Sequence, residues 1–415
     1  MAGLGWIHFS ETTRRQVLKI IDILGEPGTI DELGIGVVRN AFSNELFKGI
    51  STIMTRARYY YFVPYLIIDF LREKQKLPIA MYMKNAEMDL LEGLTLNCRD
   101  PEKKQIIGYT IARKNIETGK RINELVRKPS EIYWGGIRTY GLFKKAHSFS
   151  QLCEAIEKGN YSKKPKDYRG TEDEAGDDDT KYEKWAELFD VPYRSNWDKL
   201  DMSLTMEEAE HLRKHISGSS NGSFLAAILK DTDYAKEFLE LKSFSDMLSS
   251  HFYQELSDYH QKVIKTAVQF WKLLKGAHIR FNILLQSKPS QGSTVSFDHL
   301  WDEWVEQVMN NFEWSEFDRE FLWKIVDSHS RINWQTRNFI DLWLDGIEAK
   351  IAVEGLDVLV RNQEKENKKD RSKLAESHII NYEGWVGIDR LEYRLGNVQT
   401  IVRDIVTSLE IDKTC

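Results

Sequence analysis

The chain has 415 residues, a net charge of -6, 12% aromatic side chains and 12 tryptophans, enough apolar surface for a large core, which excludes general disorder. Its three cysteines, Cys98, Cys153 and Cys415, have neither metal-ligand nor disulfide spacing and point to a reducing cytoplasm. The N-terminus lacks the basic-then-apolar order of a signal peptide, and the most apolar run, Tyr59 to Phe70, is too short to cross a bilayer, so no membrane partner is expected.

Taken in order, Gly5 to Ser10 reads as a short extended segment. Glu11 to Leu24 reads as a helix with Val17, Leu18, Ile20, Ile21 and Leu24 on one apolar face. Asp31 to Leu66 then gathers unusual chemistry: Asp31 and Glu32, Gly34 and Gly36, Arg39, the hydroxyls of Ser51, Thr52 and Thr55, then Arg56, Arg58 and three tyrosines, Tyr59 to Tyr61. The span predicts a short helix, a turn, and a longer helix capped by Ser51 or Thr52 that runs to about Lys76 with a bend at Pro64. Such a start puts Arg56 on the face of Thr52, and hydroxyls and guanidiniums at a helix N-terminus suit a phosphate. A structural network in which Arg56 and Arg58 pair with Asp31 and Glu32 is the competing reading.

Asn85 to Leu94 predicts a short helix, and Pro101 to Ile116 another, bearing Lys103, Lys104 and Arg113. Residues 71–170 hold 21 basic and 12 acidic residues, whereas residues 171–415 carry a deficit of -15. The acidic total therefore does not exclude a nucleic-acid ligand; a basic surface with no partner is the plainer alternative. Tyr133 and Trp134 precede Gly135 and Gly136, with Arg138 beyond. Rings interleaved with cations suit stacking on bases along a phosphate track, and a buried turn with Trp134 in the core is the alternative.

Tyr161 to Thr180, a basic run followed by an acidic one, has no apolar periodicity and reads as a surface loop. It divides an N-terminal domain, 1–170, from an acidic linker, 171–180, and a C-terminal domain, 181–415. The fold class expected is mainly α, with a mixed N-terminal half holding a few short strands and a helical C-terminal half. Thr205-Met206-Glu207-Glu208 matches a capping box for a helix ending near Gly218. His211 and His215 lie on that helix at i, i+4 but lack the glutamate of His-Glu-x-x-His, and they read as surface histidines. Helical periodicity continues over 222–242, 251–286, 297–312, 316–329 and 335–349, where the seven tryptophans from Trp271 to Trp343 read as core packing. Arg361 to Lys369 suggests a solvated helix face, although Arg361 and Arg394 could complete a phosphate-binding surface. Asn397 to Leu409 closes the chain as a helix. No P-loop and no Gly-x-Ser-x-Gly elbow is present. Asp89, Glu102 and Lys104 resemble a metal-dependent nuclease core only in composition, because they fall on helix and loop rather than strands.

Three blocks carry a resemblance. They are Gly5-Trp6-Ile7-x-Phe9-Ser10, the run from Asp31 through Gly36, Arg39 and Phe42, and Leu46-Phe47-x-Gly49-x-Ser51-Thr52-Ile53-x-Thr55-Arg56-Ala57-Arg58-Tyr59. With later anchors at Ser130–Trp134, Arg361–Glu364 and Leu391–Arg394, the chain resembles a prokaryotic family catalogued as domain of unknown function 6361. Lys48 stands where proline is expected and Asn40 where an acidic residue is expected, which leaves no carboxylate at position 40. The resemblance implies an anti-phage defence DNA glycosylase, a hydrolase that flips a hypermodified cytosine (glucosylated hydroxymethylcytosine is one such base) out of viral DNA and leaves an abasic site. Asp31 or Glu32 would be the carboxylate beside the oxocarbenium-like sugar. Arg39, Arg56 and Arg58, with Ser51, Thr52, Thr55, Lys103, Lys104, Arg113 and Arg138, would bind DNA phosphates, and Tyr59, Tyr60 and Trp134 would stack on bases. No cofactor and no metal ligands are expected. A non-catalytic DNA- or protein-binding module of a defence system, and a metal-dependent nuclease, are the alternatives.

Overall fold

The computed structural model describes residues 31–73, 76–119, 125–159, 161, 184–194, 200–219, 223–287, 296–375 and 384–410. The segments expected at 5–10, 11–24 and 171–180 lie outside them. The helices of nine residues or more are α1 (Gly36–Leu46), α2 (Tyr59–Arg72), α3 (Ile79–Asn97), α4 (Tyr109–Glu117), α5 (Pro129–Thr139), α6 (Phe149–Glu157), α7 (Met206–Ser219), α8 (Thr232–Glu240), α9 (Asp258–Gln286), α10 (Arg319–His329), α11 (Trp334–Glu348), α12 (Val353–Lys368) and α13 (Leu395–Glu410). The protein is mainly helical. The short strands expected in the N-terminal half are not found among the described residues, where the extended pairing is an isolated antiparallel bridge between Phe143 and Phe189. Strand-favouring residues such as Tyr59 to Tyr61, Ile67 and Ile68 lie in α2 and are buried there, so packing against other helices outweighs their β propensity. No described helix is long and apolar enough to cross a membrane.

The chain forms two units, each built from separate stretches of sequence. The first comprises Met1–Glu45, Ser243–Leu248 and Ser257–Tyr393; the second comprises Leu46–Lys242, Ser249–Leu256 and Arg394–Cys415. The axis of the first unit is α9, whose 29 residues are buried on most sides and which packs against α10, α11 and α12. Several of the polar groups packed on it are matched, although both ring nitrogens of the buried His278 have no hydrogen-bond partner among the described residues. Trp343, wholly buried, donates its indole N–H to the Leu273 carbonyl at 3.0 Å, and Trp304 donates to Lys272 at 2.8 Å. Arg280 meets both oxygens of Asp357 at 2.7 and 2.8 Å, the fork geometry a buried guanidinium requires.

In the second unit α2 lies against α3 and α5, and α13 against α7 and α8. The helix expected from Ser51 or Thr52 begins instead at Tyr59. The reason lies in the amides a longer helix would need. Thr55 and Arg56 donate theirs to the Tyr133 hydroxyl at 2.8 and 3.0 Å, and Ala57 donates to Asp404 at 2.8 Å. Tertiary partners satisfy these donors, and residues 51–58 stay a loop. The helix expected over 101–116 is two pieces, Asp100–Lys103 and α4, and the turn expected around Trp134 is helical, within α5. The capping box holds: the Thr205 amide donates to Glu208 Oε2 at 2.8 Å, and the Glu208 amide to Thr205 Oγ1 at 3.1 Å.

Candidate functional site

In the first unit Asp31 to Gly36 is a turn that opens α1. Gly34 has φ of +76°, a left-handed conformation that glycine adopts without strain. The turn is braced from α12. Asn367 donates to the Asp31 and Glu32 carbonyls, each at 2.9 Å, and Gln363 donates to Leu33 at 2.6 Å. The Asp31 carboxylate accepts from the Ile35 amide at 3.0 Å and the Gly36 amide at 2.6 Å, the pairing expected of an anion at a helix N-terminus. Burial pushes its carboxyl up, against the opposing pull of the Gly36 amide and then of Arg39. A Cβ built on Gly36 would lie 2.8 Å from Asp31 Oδ2 and 3.5 Å from Arg39 Nη2, so the two charges flank one glycine. Arg39 Nε is buried and has no hydrogen-bond partner among the described residues.

Its neighbour behaves differently. Glu32 is wholly buried, with one oxygen 2.5 Å from Lys373 Nζ and the other 3.1 Å from Lys368 Nζ. Adjacent in sequence, the two carboxylates have different environments: Asp31 is half-buried and held by amides, Glu32 is closed off in an ion triad.

The remaining expected site residues belong to the second unit. Arg56 is paired, but with carboxylates other than Asp31 and Glu32. Its Nε lies 2.9 Å from both oxygens of Asp404, Nη1 3.1 Å from Gln105, and Nη2 3.3 Å from the Met202 carbonyl. Arg58 Nη1 reaches Asp201 at 2.6 Å and Nε stands 3.5 Å from Glu208, with the guanidinium over Phe62. The cavity of about 700 Å³ beside it is lined by Asp201, Glu207, Glu208 and Glu210 against Arg58 and Arg194, an excess of carboxylates that opposes phosphate binding. Both arginines therefore act as structural cations.

Tyr59 and Tyr60 are core residues. The Tyr59 hydroxyl accepts from the Ile107 amide at 3.1 Å, and Tyr60 donates to the Gly49 carbonyl at 2.9 Å. Trp134 packs among Phe143, Phe149 and Phe189, and its indole donates to His147 at 3.2 Å. None of these rings offers a face to a base. Ser51 and Thr55 are half-buried in the loop, each with a buried hydroxyl lacking a partner, and Thr52 is exposed. Lys104, Arg113 and Arg138 are exposed; Arg113 pairs with Glu117 at 2.7 Å and Lys103 with Asp100 at 3.1 Å.

Two features escaped the sequence reading. Trp334, expected in the core, is 72% exposed. It stands at the mouth of a groove of about 400 Å³ between α11 and α12, lined also by Gln335, Asn338, Asn362 and Gln363. Its signal was present in Asn333, which caps α11 by accepting from the Thr336 amide at 2.7 Å, because a residue directly after a cap lies at the helix end. His211 and His215, expected on the surface, are instead half-buried and stacked with ring centroids 4.2 Å apart, next to Asp190. Only the i, i+4 spacing hinted at this pair, since Asp190 is remote in sequence.

The family of unknown function DUF6361 matches this chain over residues 1–407, and the chain belongs to it. No curated protein and no solved structure matches it.

Proposed function

We propose that this member of the family is an anti-phage defence DNA glycosylase that hydrolyses the N-glycosidic bond of a hypermodified cytosine in viral DNA. The observation that carries the reading is the carboxylate of the half-buried residue Asp31, held by the Ile35 and Gly36 amides at a helix N-terminus, with the buried and unpartnered Nε of Arg39 close by. As the base departs with the bonding electrons, the sugar becomes cationic at C1′. A carboxylate on the open face stabilises that charge and takes a proton from the attacking water. A carboxyl raised by burial suits the proton transfer better than an ordinary one. Asp31 is assigned this role, and Arg39 the grip on a phosphate or on the decorated base. Glu32 is assigned a structural role, because both its oxygens already face lysines.

The groove at Trp334, lined also by Phe339, Leu342, Leu359 and Glu366, is assigned to the flipped nucleotide on its size and its amide side chains. An exposed indole supplies a stacking face, and the side-chain amides of Gln335, Asn338 and Asn362 supply donors and acceptors for a base edge. Gln363 lines this groove and donates to Leu33 within the Asp31–Gly36 turn, so groove wall and turn are joined. A basic DNA-binding surface in this reading uses the exposed Lys104, Arg113 and Arg138 rather than Arg56 and Arg58.

The test incubates the purified protein, with EDTA, with phage DNA bearing modified cytosines and with unmodified DNA. Mass spectrometry detects released bases and an aldehyde-reactive probe counts abasic sites. Release from the modified DNA alone, lost in a folded Asp31→Asn variant, is expected. Full release by Asp31→Asn would refute the assignment of the carboxylate. Binding without release would leave a non-catalytic DNA module, and magnesium-dependent chain cleavage a nuclease.

A further inference from the structure

His211 and His215 lie one turn apart on α7. The Nδ1 atom of each ring meets an oxygen. His215 Nδ1 is 2.9 Å from the Tyr140 carbonyl, which can only accept, so this nitrogen carries the proton. His211 Nδ1 is 3.1 Å from the Tyr61 hydroxyl, whose own proton goes to the Glu208 carbonyl at 2.7 Å; this nitrogen too is a donor. In neutral rings both Nε2 atoms are then acceptors. They converge on a third acceptor, with His211 Nε2 3.7 Å from Asp190 Oδ1 and His215 Nε2 3.6 Å from Asp190 Oδ2.

We propose that Asp190, His211 and His215 bind one divalent transition-metal ion of the zinc class, through two imidazole Nε2 atoms and one carboxylate oxygen. Three acceptors facing one another repel unless a cation lies between them. The spacing agrees with a shared ion. Two atoms each about 2.1 Å from zinc at a tetrahedral angle stand about 3.4 Å apart, close to the 3.7 and 3.6 Å between the Nε2 atoms and the Asp190 carboxylate. Hydrogen-bonded Nδ1 atoms are the outer support that metal-bound histidines have. Asp190 is also a built position. Its amide donates to the Leu142 carbonyl at 2.9 Å, and the neighbouring Lys144 amide to Leu188 at 2.7 Å, around the Phe143–Phe189 bridge. The Asp190 side chain is 52% exposed, so an ion enters from solvent and keeps a fourth position for water. All of these residues lie in the second unit, and the site is independent of the chemistry proposed for Asp31.

The test uses the full chain, stripped with a chelator and dialysed. Zn²⁺ is titrated against a chromogenic competitor, and Co²⁺ is followed by its visible d–d absorption. One equivalent of zinc and an intense four-coordinate cobalt spectrum are expected. Asp190→Asn, at an exposed side chain, and His211→Ala each weaken zinc by at least about tenfold, and Tyr61→Phe by about 10- to 100-fold through loss of outer-shell support. Circular dichroism of the stripped variants checks that they fold. Absence of stoichiometric zinc in the wild type overturns the site and leaves a histidine–aspartate ion pair. Undiminished zinc binding by both folded ligand variants overturns it as well.

Discussion

Glu32→Gln separates the structural role of Glu32 from the catalytic role proposed for Asp31. The change keeps shape and removes one charge from a triad in which Glu32 is fully buried while Lys368 and Lys373 are 18% and 28% exposed. Breaking a buried pair by removing one partner costs about 3–5 kcal/mol, because the other charge stays desolvated. The partial exposure of both lysines lets them turn towards water, which places the expected loss at the low end, about 3 kcal/mol. Asp31→Asn is milder: the amide keeps one acceptor for the α1 amides, and losing the charge at a helix N-terminus costs roughly 1 kcal/mol. Urea unfolding followed by tryptophan fluorescence reads both. At a slope of about 2 kcal/mol per molar, Glu32→Gln lowers its transition by about 1.5 M and Asp31→Asn by about 0.5 M. Lys373→Met in the Glu32→Gln background recovers part of the loss, since it removes a stranded charge. An unchanged midpoint for Glu32→Gln, or a larger loss for Asp31→Asn, would refute this division of roles. Under the proposed glycosylase reading, loss of excision in Glu32→Gln alone is then a folding effect, whereas loss in a folded Asp31→Asn points to the chemical role proposed for Asp31.

Two further predictions concern the second unit. Burial pushes the Glu87 carboxyl up from 4.5 to about 7, although one oxygen accepts from the Ser130 amide at 2.6 Å. Its stabilising contribution is fully present below pH 4.5 and is lost as pH rises through about 7. The uncharged isostere Glu87→Gln should come closest to the wild type at about pH 4 and exceed it near pH 8 by up to roughly 3 kcal/mol; a gap in urea midpoints that is the same at both pH values would contradict this. Arg56→Lys keeps the charge but cannot hold Asp404, Gln105 and Met202 together. It should lose about 2 kcal/mol of stability while leaving the salt dependence of any DNA binding unchanged, and a shallower salt slope without destabilisation would restore a phosphate role.

Apolar periodicity and capping chemistry are local, and they placed most of the described helices. The Thr205–Glu208 box began α7 where expected, and the closing helix appeared at Leu395–Glu410. Boundaries failed where a distant group claimed the backbone. Nothing near Thr52 announces that Asp404 will take the Ala57 amide. The same distance explains the cations. Clustered guanidiniums look alike whether they await a phosphate or already face a carboxylate. For Arg56 and Arg58 those carboxylates, Asp404, Asp201 and Glu208, lie more than a hundred residues away.

By itself, the sequence determined a mainly helical protein of this family, the register of its amphipathic faces, and the turn at Asp31 to Gly36 as an unusual place. Those properties follow from side-chain spacing and local hydrogen bonding, which act over a few residues. Tertiary structure alone decided that Asp31 is half-buried while Glu32 is sealed, that Tyr59, Tyr60 and Trp134 are core while Trp334 is exposed, and that Asp190 meets two histidines. Burial and charge partnership are properties of the assembled chain, because desolvation depends on every neighbour a side chain acquires on folding.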